Sequence, residues 1–117
     1  AACPDKPNCV SSQAGDQRHL IEPLHFTGEP GEAWSRLKAI LQQQPRTRIV
    51  DEQDGYLHAE FRSLVFRFVD DVEFVMQPEQ GVIHIRSASR TGYSDFGVNR
   101  RRVNRLRGYF SASKPPG

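Results

Sequence analysis

The sequence predicts an α+β fold: an antiparallel meander sheet of four to five strands with two helices packed on one face, in the order β-α-β-β-β-β-α. Three observations predict it. Two stretches repeat apolar residues at helical spacing, the stretch between them switches to a period of two, and turn-forming residues separate the alternating runs. With 117 residues, 37% hydrophobic and 26% charged, the chain suits a single domain, residues 1–117, with a modest core. No apolar run approaches the about 20 residues of a membrane-spanning helix.

Residues 1–18 are rich in Pro, Ser, Asn, Asp and Gln and read as an irregular N-terminal arm. Residues 20–26 read as a short edge strand, because Pro23 has no N–H to give a ladder. Residues 30–44 form the first helix. Pro30 suits its opening turn, Ala33, Trp34, Leu37, Ile40 and Leu41 make one apolar stripe, and Pro45 ends it. In that stripe Trp34 reads as a core anchor.

A short strand over residues 46–50 precedes three alternating ones. Residues 56–63 put Leu57, Ala59, Phe61 and Ser63 on one face, and Tyr56, His58, Glu60 and Arg62 on the other. Residues 65–76 align Phe66, Phe68, Asp70, Val72, Phe74 and Met76. Residues 82–89 align Ile83, Ile85, Ser87 and Ser89, with His84 and Arg86 opposite, where a histidine is ordinarily solvated. Gln53-Asp54-Gly55 and Pro78-Glu79-Gln80-Gly81 supply turns. Asp95 is placed to cap a last helix over residues 99–110, whose apolar positions are Val103, Leu106 and Phe110. Residues 111–117 read as a frayed tail.

Register then locates a polar end of the buried face. If Met76 pairs with Ile83 across the turn, Phe74 meets Ile85, Val72 meets Ser87 and Asp70 meets Ser89. Ser63 falls near the same edge. A carboxylate on an inner face needs relief. Three kinds are available: an ion pair with Arg90 or Arg100, hydrogen bonds where the chain enters the last helix, or a bulge that turns Asp70 outward. On the opposite face the same register sets Glu73 beside Arg86.

The net charge is only +2, but the last third gathers seven arginines from Arg86 to Arg107. Such an asymmetry marks either a solvated helix face or a surface for anions. The two cysteines, Cys3 and Cys9, enclose five residues, two of them proline. A disulfide would close a small ring and imply an oxidising compartment. Two thiolates with His19 and His25 would also make a tetrahedral metal set, at irregular spacing. The opening Ala1-Ala2-Cys3 is similar to the end of a lipoprotein cleavage site, and a lipid on Cys3 would leave Cys9 unpaired. No signal peptide is present in these residues, so a mature or trimmed form is expected.

Three segments carry a family resemblance. Residues 3–12 (Cys-Pro-Asp-Lys-Pro-Asn-Cys-Val-Ser-Ser), 68–74 (Phe-Val-Asp-Asp-Val-Glu-Phe) and the long block 86–102, from Arg86 through Tyr93 and Asp95 to Arg102, resemble domain-of-unknown-function family 1499. The resemblance spans nearly the whole chain. It implies an exported or membrane-associated bacterial domain, with relatives in plastids, on the non-cytoplasmic side, and it brings no assigned activity.

The expected role is therefore a noncatalytic cell-envelope module. It would bind an anionic small ligand or an acidic protein partner through Arg62, Asp70, Arg86, Ser87, Ser89, Arg90, Tyr93, Asp95, Asn99 and Arg100. One alternative is a structural component that docks on a membrane protein or an anionic membrane surface. Another is a hydrolase-like enzyme with Asp70 as base and Arg90 as substrate grip. No nucleophile elbow, phosphate loop or paired metal motif is present, so no cofactor or metal is expected. Export would remove nucleic acid as a partner.

Overall fold

The computed structural model describes residue 3 and residues 9–64, 68–90 and 97–112. Eight elements of regular structure lie within them. These are β1 (Cys9–Ser11), β2 (Leu24–His25), α1 (Pro30–Gln43), β3 (Thr47–Gln53), β4 (Tyr56–Arg62), β5 (Val69–Gln77), β6 (Val82–Ser89) and α2 (Val98–Ala112), with one 3-10 turn at Pro78–Gln80. The fold is α+β, as the sequence predicts.

The sheet has six strands in the order β1-β6-β5-β4-β3, with β2 also paired to β6. All its ladders are antiparallel. β2 covers the start of the outer edge of β6, at Val82 and Ile83, and β1 covers its end, at Arg86, Ser87 and Ala88. The expected irregular arm thus contains a sheet strand. Three residues are too few for alternation to show, and the strand exists because the β6 edge satisfies its backbone groups. Cys3 and Cys9 form a disulfide, with Cα atoms 5.7 Å apart, which ties the arm to β1.

The β5–β6 register is the one that side-chain parity predicts: Met76 faces Ile83, Phe74 faces Ile85, Val72 faces Ser87 and Asp70 faces Ser89. Leu57, Ala59, Phe61, Val72, Phe74, Ile83 and Ile85 line the inner face. Leu37, Ile40 and Leu41 of α1, and Val103, Leu106 and Phe110 of α2, close over them in one buried cluster. Both helices therefore serve the same face. The other face carries no helix among the described residues.

Two expectations fail at the β4–β5 end. Ser63 and Phe68 are exposed, because β5 begins at Val69 and the alternation does not extend past it. The Phe68 N–H donates to Ser63 Oγ at 2.9 Å, and the Ser63 N–H donates to the Phe68 carbonyl at 2.9 Å, which closes the ladder before the turn. Phe66 lies outside the described residues. At the free edge, β3 carries a register shift between Ile49 and Asp51, which twists the strand and leaves Val50 exposed. At the other end of the β3–β4 hairpin, Gly55 takes a φ of +76°, a left-handed value that glycine adopts without a Cβ clash.

The disulfide fixes β1 at little cost to the folded chain, and its effect falls mainly on the unfolded ensemble. The variant with both Cys3→Ser and Cys9→Ser is expected to lose about 2 kcal/mol of unfolding free energy, read from urea denaturation. An unchanged midpoint would show that hydrogen bonds to β6 hold the arm without the cross-link.

Candidate functional site

The predicted site residues divide between the two faces of the sheet. On the inner face, Asp70, Ser87, Ser89 and Asn99 meet, joined by Arg102. Arg102 and Asn99 are three residues apart on α2, so both point down onto the end of β5 and β6. Arg102 Nη2 lies 2.8 Å from Asp70 Oδ2. Arg102 Nη1 donates to Asn99 Oδ1 at 2.8 Å and to Ser87 Oγ at 3.3 Å. Ser87 Oγ donates to Asn99 Oδ1 at 2.6 Å, and Asn99 Nδ2 donates to Ser89 Oγ at 3.2 Å. The guanidinium carbon of Arg102 also sits 4.9 Å from the Phe61 ring centre.

Asp70, Ser87, Asn99 and Arg102 are all buried. The relief that the carboxylate needs is an ion pair, but its partner is Arg102 and not Arg90 or Arg100. Arg100 instead donates to the backbone carbonyls of Leu20 and Arg18, at 3.0 and 3.2 Å. A carboxylate sealed against a guanidinium is poorly placed to take a proton from a substrate. Asp70 and Arg90, the pair a hydrolase reading requires, lie on opposite faces.

The outer face gathers the rest. Glu60 and Asp71 are directly opposed in the β4–β5 ladder, two like charges that repel unless a cation joins them. Arg90 joins them. Its Nε and Nη2 donate to Asp71 Oδ2 and Oδ1 at 2.8 and 2.9 Å, and its Nη2 also donates to Glu60 Oε2. His58 Nε2 donates to Asp71 Oδ1 at 2.7 Å. Arg48 and Arg62 each place a guanidinium nitrogen 3.8 Å from Glu60 Oε1.

The exposures are layered. Glu60 and Asp71 side chains are 12% and 22% exposed, whereas those of Arg48, Arg62 and Arg90 are 75%, 43% and 48% exposed. The carboxylates form a floor and the guanidiniums stand above it. Burial pushes the Asp71 carboxyl up, but the hydrogen bonds from Arg90 and His58 outweigh it and hold the group below its ordinary value.

Farther along the same face, Tyr56 Oη donates to Glu73 Oε2 at 2.7 Å, and Arg86 Nη1 lies 3.4 Å from Glu73 Oε1. The Glu73–Arg86 pairing is the one the register predicts. Burial, and donation to Glu73, push the Tyr56 hydroxyl up to about 12. His84 Nδ1 and Ser12 Oγ are hydrogen-bonded at 2.9 Å, so neither outer-face histidine is simply solvated. The cavity beside Tyr56, Glu73 and Arg86 measures only about 70 Å³, room for a few waters.

Tyr93 and Asp95 lie outside the described residues, so the proposed cap of α2 does too. Among the described residues, no three His, Cys, Asp or Glu gather as a metal site. His19, one of the candidate ligands, is buried against Asp16 at 2.7 Å. Among the described residues no helix is long and apolar enough to cross a membrane.

The family model of a protein of unknown function, DUF1499, matches residues 1–110. The chain belongs to the DUF1499 family. No match is found among curated proteins. In this DUF1499 domain, the sequence reading named Arg62, Arg86 and Arg90 but missed Arg48, His58, Glu60 and Asp71 as a group. The signal that would have found them is the like-charged pair: once β4 and β5 are set in register, Glu60 falls opposite Asp71 and demands a cation.

Arg102→Met strands Asp70 in the interior and is expected to cost about 3–5 kcal/mol in urea denaturation, and the double variant Asp70→Leu with Arg102→Met to recover most of that loss. If the double variant is as unstable as the single one, the ion pair itself contributes the stability. On the outer face, Asp71 titrates below the unfolded value of about 3.9, so its stabilisation is complete above that pH and disappears as pH falls through the folded value. Asp71→Asn should therefore show a shallower acid limb than the parent in a series of urea midpoints from neutral pH down to strong acid.

Proposed function

We propose that this DUF1499 domain is a noncatalytic recognition module that binds anionic groups, phosphate or carboxylate, on a small ligand or an acidic partner surface. The site is the arginine rim of the helix-free face: Arg48, Arg62 and Arg90. One observation carries the reading. Three outward guanidiniums stand over two sheltered carboxylates, so the rim keeps a net positive charge while Arg90 is held in place from beneath and Arg48 and Arg62 are drawn to Glu60. An arginine oriented in advance loses less side-chain entropy when it grips an anion, and its planar fork matches a phosphate or carboxylate with two parallel hydrogen bonds.

The Cys3–Cys9 disulfide supports a place for the domain in an oxidising compartment, such as the periplasm or another part of the cell envelope.

A second reading, docking on an anionic membrane surface, draws on a separate observation. Leu64 is 72% exposed at the end of β4, beside Arg62, and Phe68 is exposed at the start of β5. An apolar tip flanked by arginine suits a lipid interface.

Titration with inorganic pyrophosphate and with a glutamate-rich peptide, followed by backbone amide shifts, tests the first reading. The expected shifts centre on Arg48, Arg62 and Arg90 and shrink with added salt. The variant with Arg48→Gln and Arg62→Gln leaves the Arg90 bridge intact and should weaken binding by about tenfold or more. Equal affinity in parent and variant would end the anion reading. Flotation with vesicles containing phosphatidylglycerol, lost on Leu64→Ser while the soluble anions still bind, would favour the membrane.

A further inference from the structure

We infer that the domain carries a second, independent binding site on its other side, a groove for a small amphiphilic cation: an ammonium group attached to an apolar chain or ring. The groove measures about 490 Å³, within the size range of small-molecule sites. It lies where three elements meet: the opening of α1, the β3–β4 turn and the end of β5. Pro30 and Trp34 of α1, Glu52 of β3, Asp54 of the turn, and Met76 and Pro78 at the end of β5 line it.

Trp34 belongs to the apolar stripe of α1, but it is only partly buried, unlike Ala33, Leu37, Ile40 and Leu41. Its ring packs against the core on one side and lines the groove on the other. The core-anchor reading therefore accounts for part of this side chain only. Met76 is likewise only partly buried against the core, and its unbranched thioether adapts to whatever lies beside it.

Charge decides the class of ligand. Glu52 and Asp54 are the only charged residues of the lining, and no Lys, Arg or His is among them. Lys38 lies 3.0 Å from Glu52, which leaves the Asp54 carboxylate as the acid without a side-chain partner among the described residues. Glu32 occupies the first turn of α1 and offsets the positive end of the helix dipole nearby. An ammonium placed at Asp54 and the face of the Trp34 indole, with its apolar body along Met76 and Pro78, satisfies both features at once. Tryptophan is the aromatic side chain that holds cations best. The chemistry is the reverse of the arginine rim, so the two sites take different ligands and neither reading depends on the other.

Trp34 is the single tryptophan of the chain, so tryptophan emission comes only from this junction of groove and core. The test is a titration of the whole domain with hexyltrimethylammonium, beside hexanol and hexyl sulfate, which carry the same apolar chain. The expected result is a saturable change in Trp34 emission with the cation, and responses at least about tenfold weaker with the alcohol and the sulfate. Asp54→Asn keeps a turn-compatible residue before Gly55, so the fold stays intact, as circular dichroism will show. It should weaken the cation by about fivefold without changing the response to hexanol. Trp34→Leu, followed by calorimetry, should weaken the cation by a similar factor.

The inference is overturned if the three ligands respond alike, if Asp54→Asn binds the cation as tightly as the parent, or if no ligand saturates. Binding of a lysine-rich peptide in the absence of any binding of hexyltrimethylammonium overturns it as well, and assigns the groove to a protein partner.

Discussion

Two consecutive acids, Asp70 and Asp71, set the constraint on which the rest of this structure depends. They sit in a strand that must alternate, so one carboxylate enters the interior and the other faces out. Neither is tolerable alone. The inner one requires a cation delivered from above, and α2 delivers Arg102. The outer one is opposed by Glu60, and the chain supplies Arg90 as soon as β6 ends. The position of α2 over the sheet and the placement of Arg90 at the end of β6 both answer to this pair.

The arginine-rich third of the chain looks from its composition like a broad basic surface. Much of it is engaged in holding the fold together. Arg102 neutralises Asp70, Arg86 pairs with Glu73, and Arg100 and Arg107 donate to backbone carbonyls of residues 18, 20, 22 and 23. Those last bonds fasten the final helix to the segment between β1 and β2. The rim on the outer face differs because its guanidiniums stay partly exposed above their carboxylates, even where Arg90 bridges the two.

Much of the architecture was legible from alternation and helical spacing. The stripe of α1, the parity of β4 to β6 and the turn at Gly81 fix one register, and that register alone brought Asp70, Ser87 and Ser89 to one end. What was not legible had physical causes. β1 is too short to show a period and is made by its neighbour's edge. The partner of Asp70 depended on the rotation of α2, and a three-residue spacing on an arginine-rich helix leaves several candidates. The outer network required reading two strands against each other: Glu60, Asp71 and Arg48 each look like ordinary surface charges until the ladder sets them side by side. The half-open setting of Trp34 was hidden for the same reason, since a helical stripe shows which side faces inward but not how far the sheet extends beneath it.

The arrangement of β1 and β2 along β6 has a consequence for how the molecule behaves among copies of itself. Without them, β6 would end the sheet as a long, half-apolar strand with the amide and carbonyl groups of its outer edge free, the kind of margin onto which another chain adds. Strands from the beginning of the chain cover a strand from near its end, so they find this margin only once almost the entire polypeptide has been made or delivered. The opposite margin, β3, is guarded differently, by its charged side chains and the kink after Ile49. A chain cut short at its N-terminus would thus lose Val10, Ile21 and Leu24 from its core, keep its outer-face arginines, and be prone to stack into oligomers through β6.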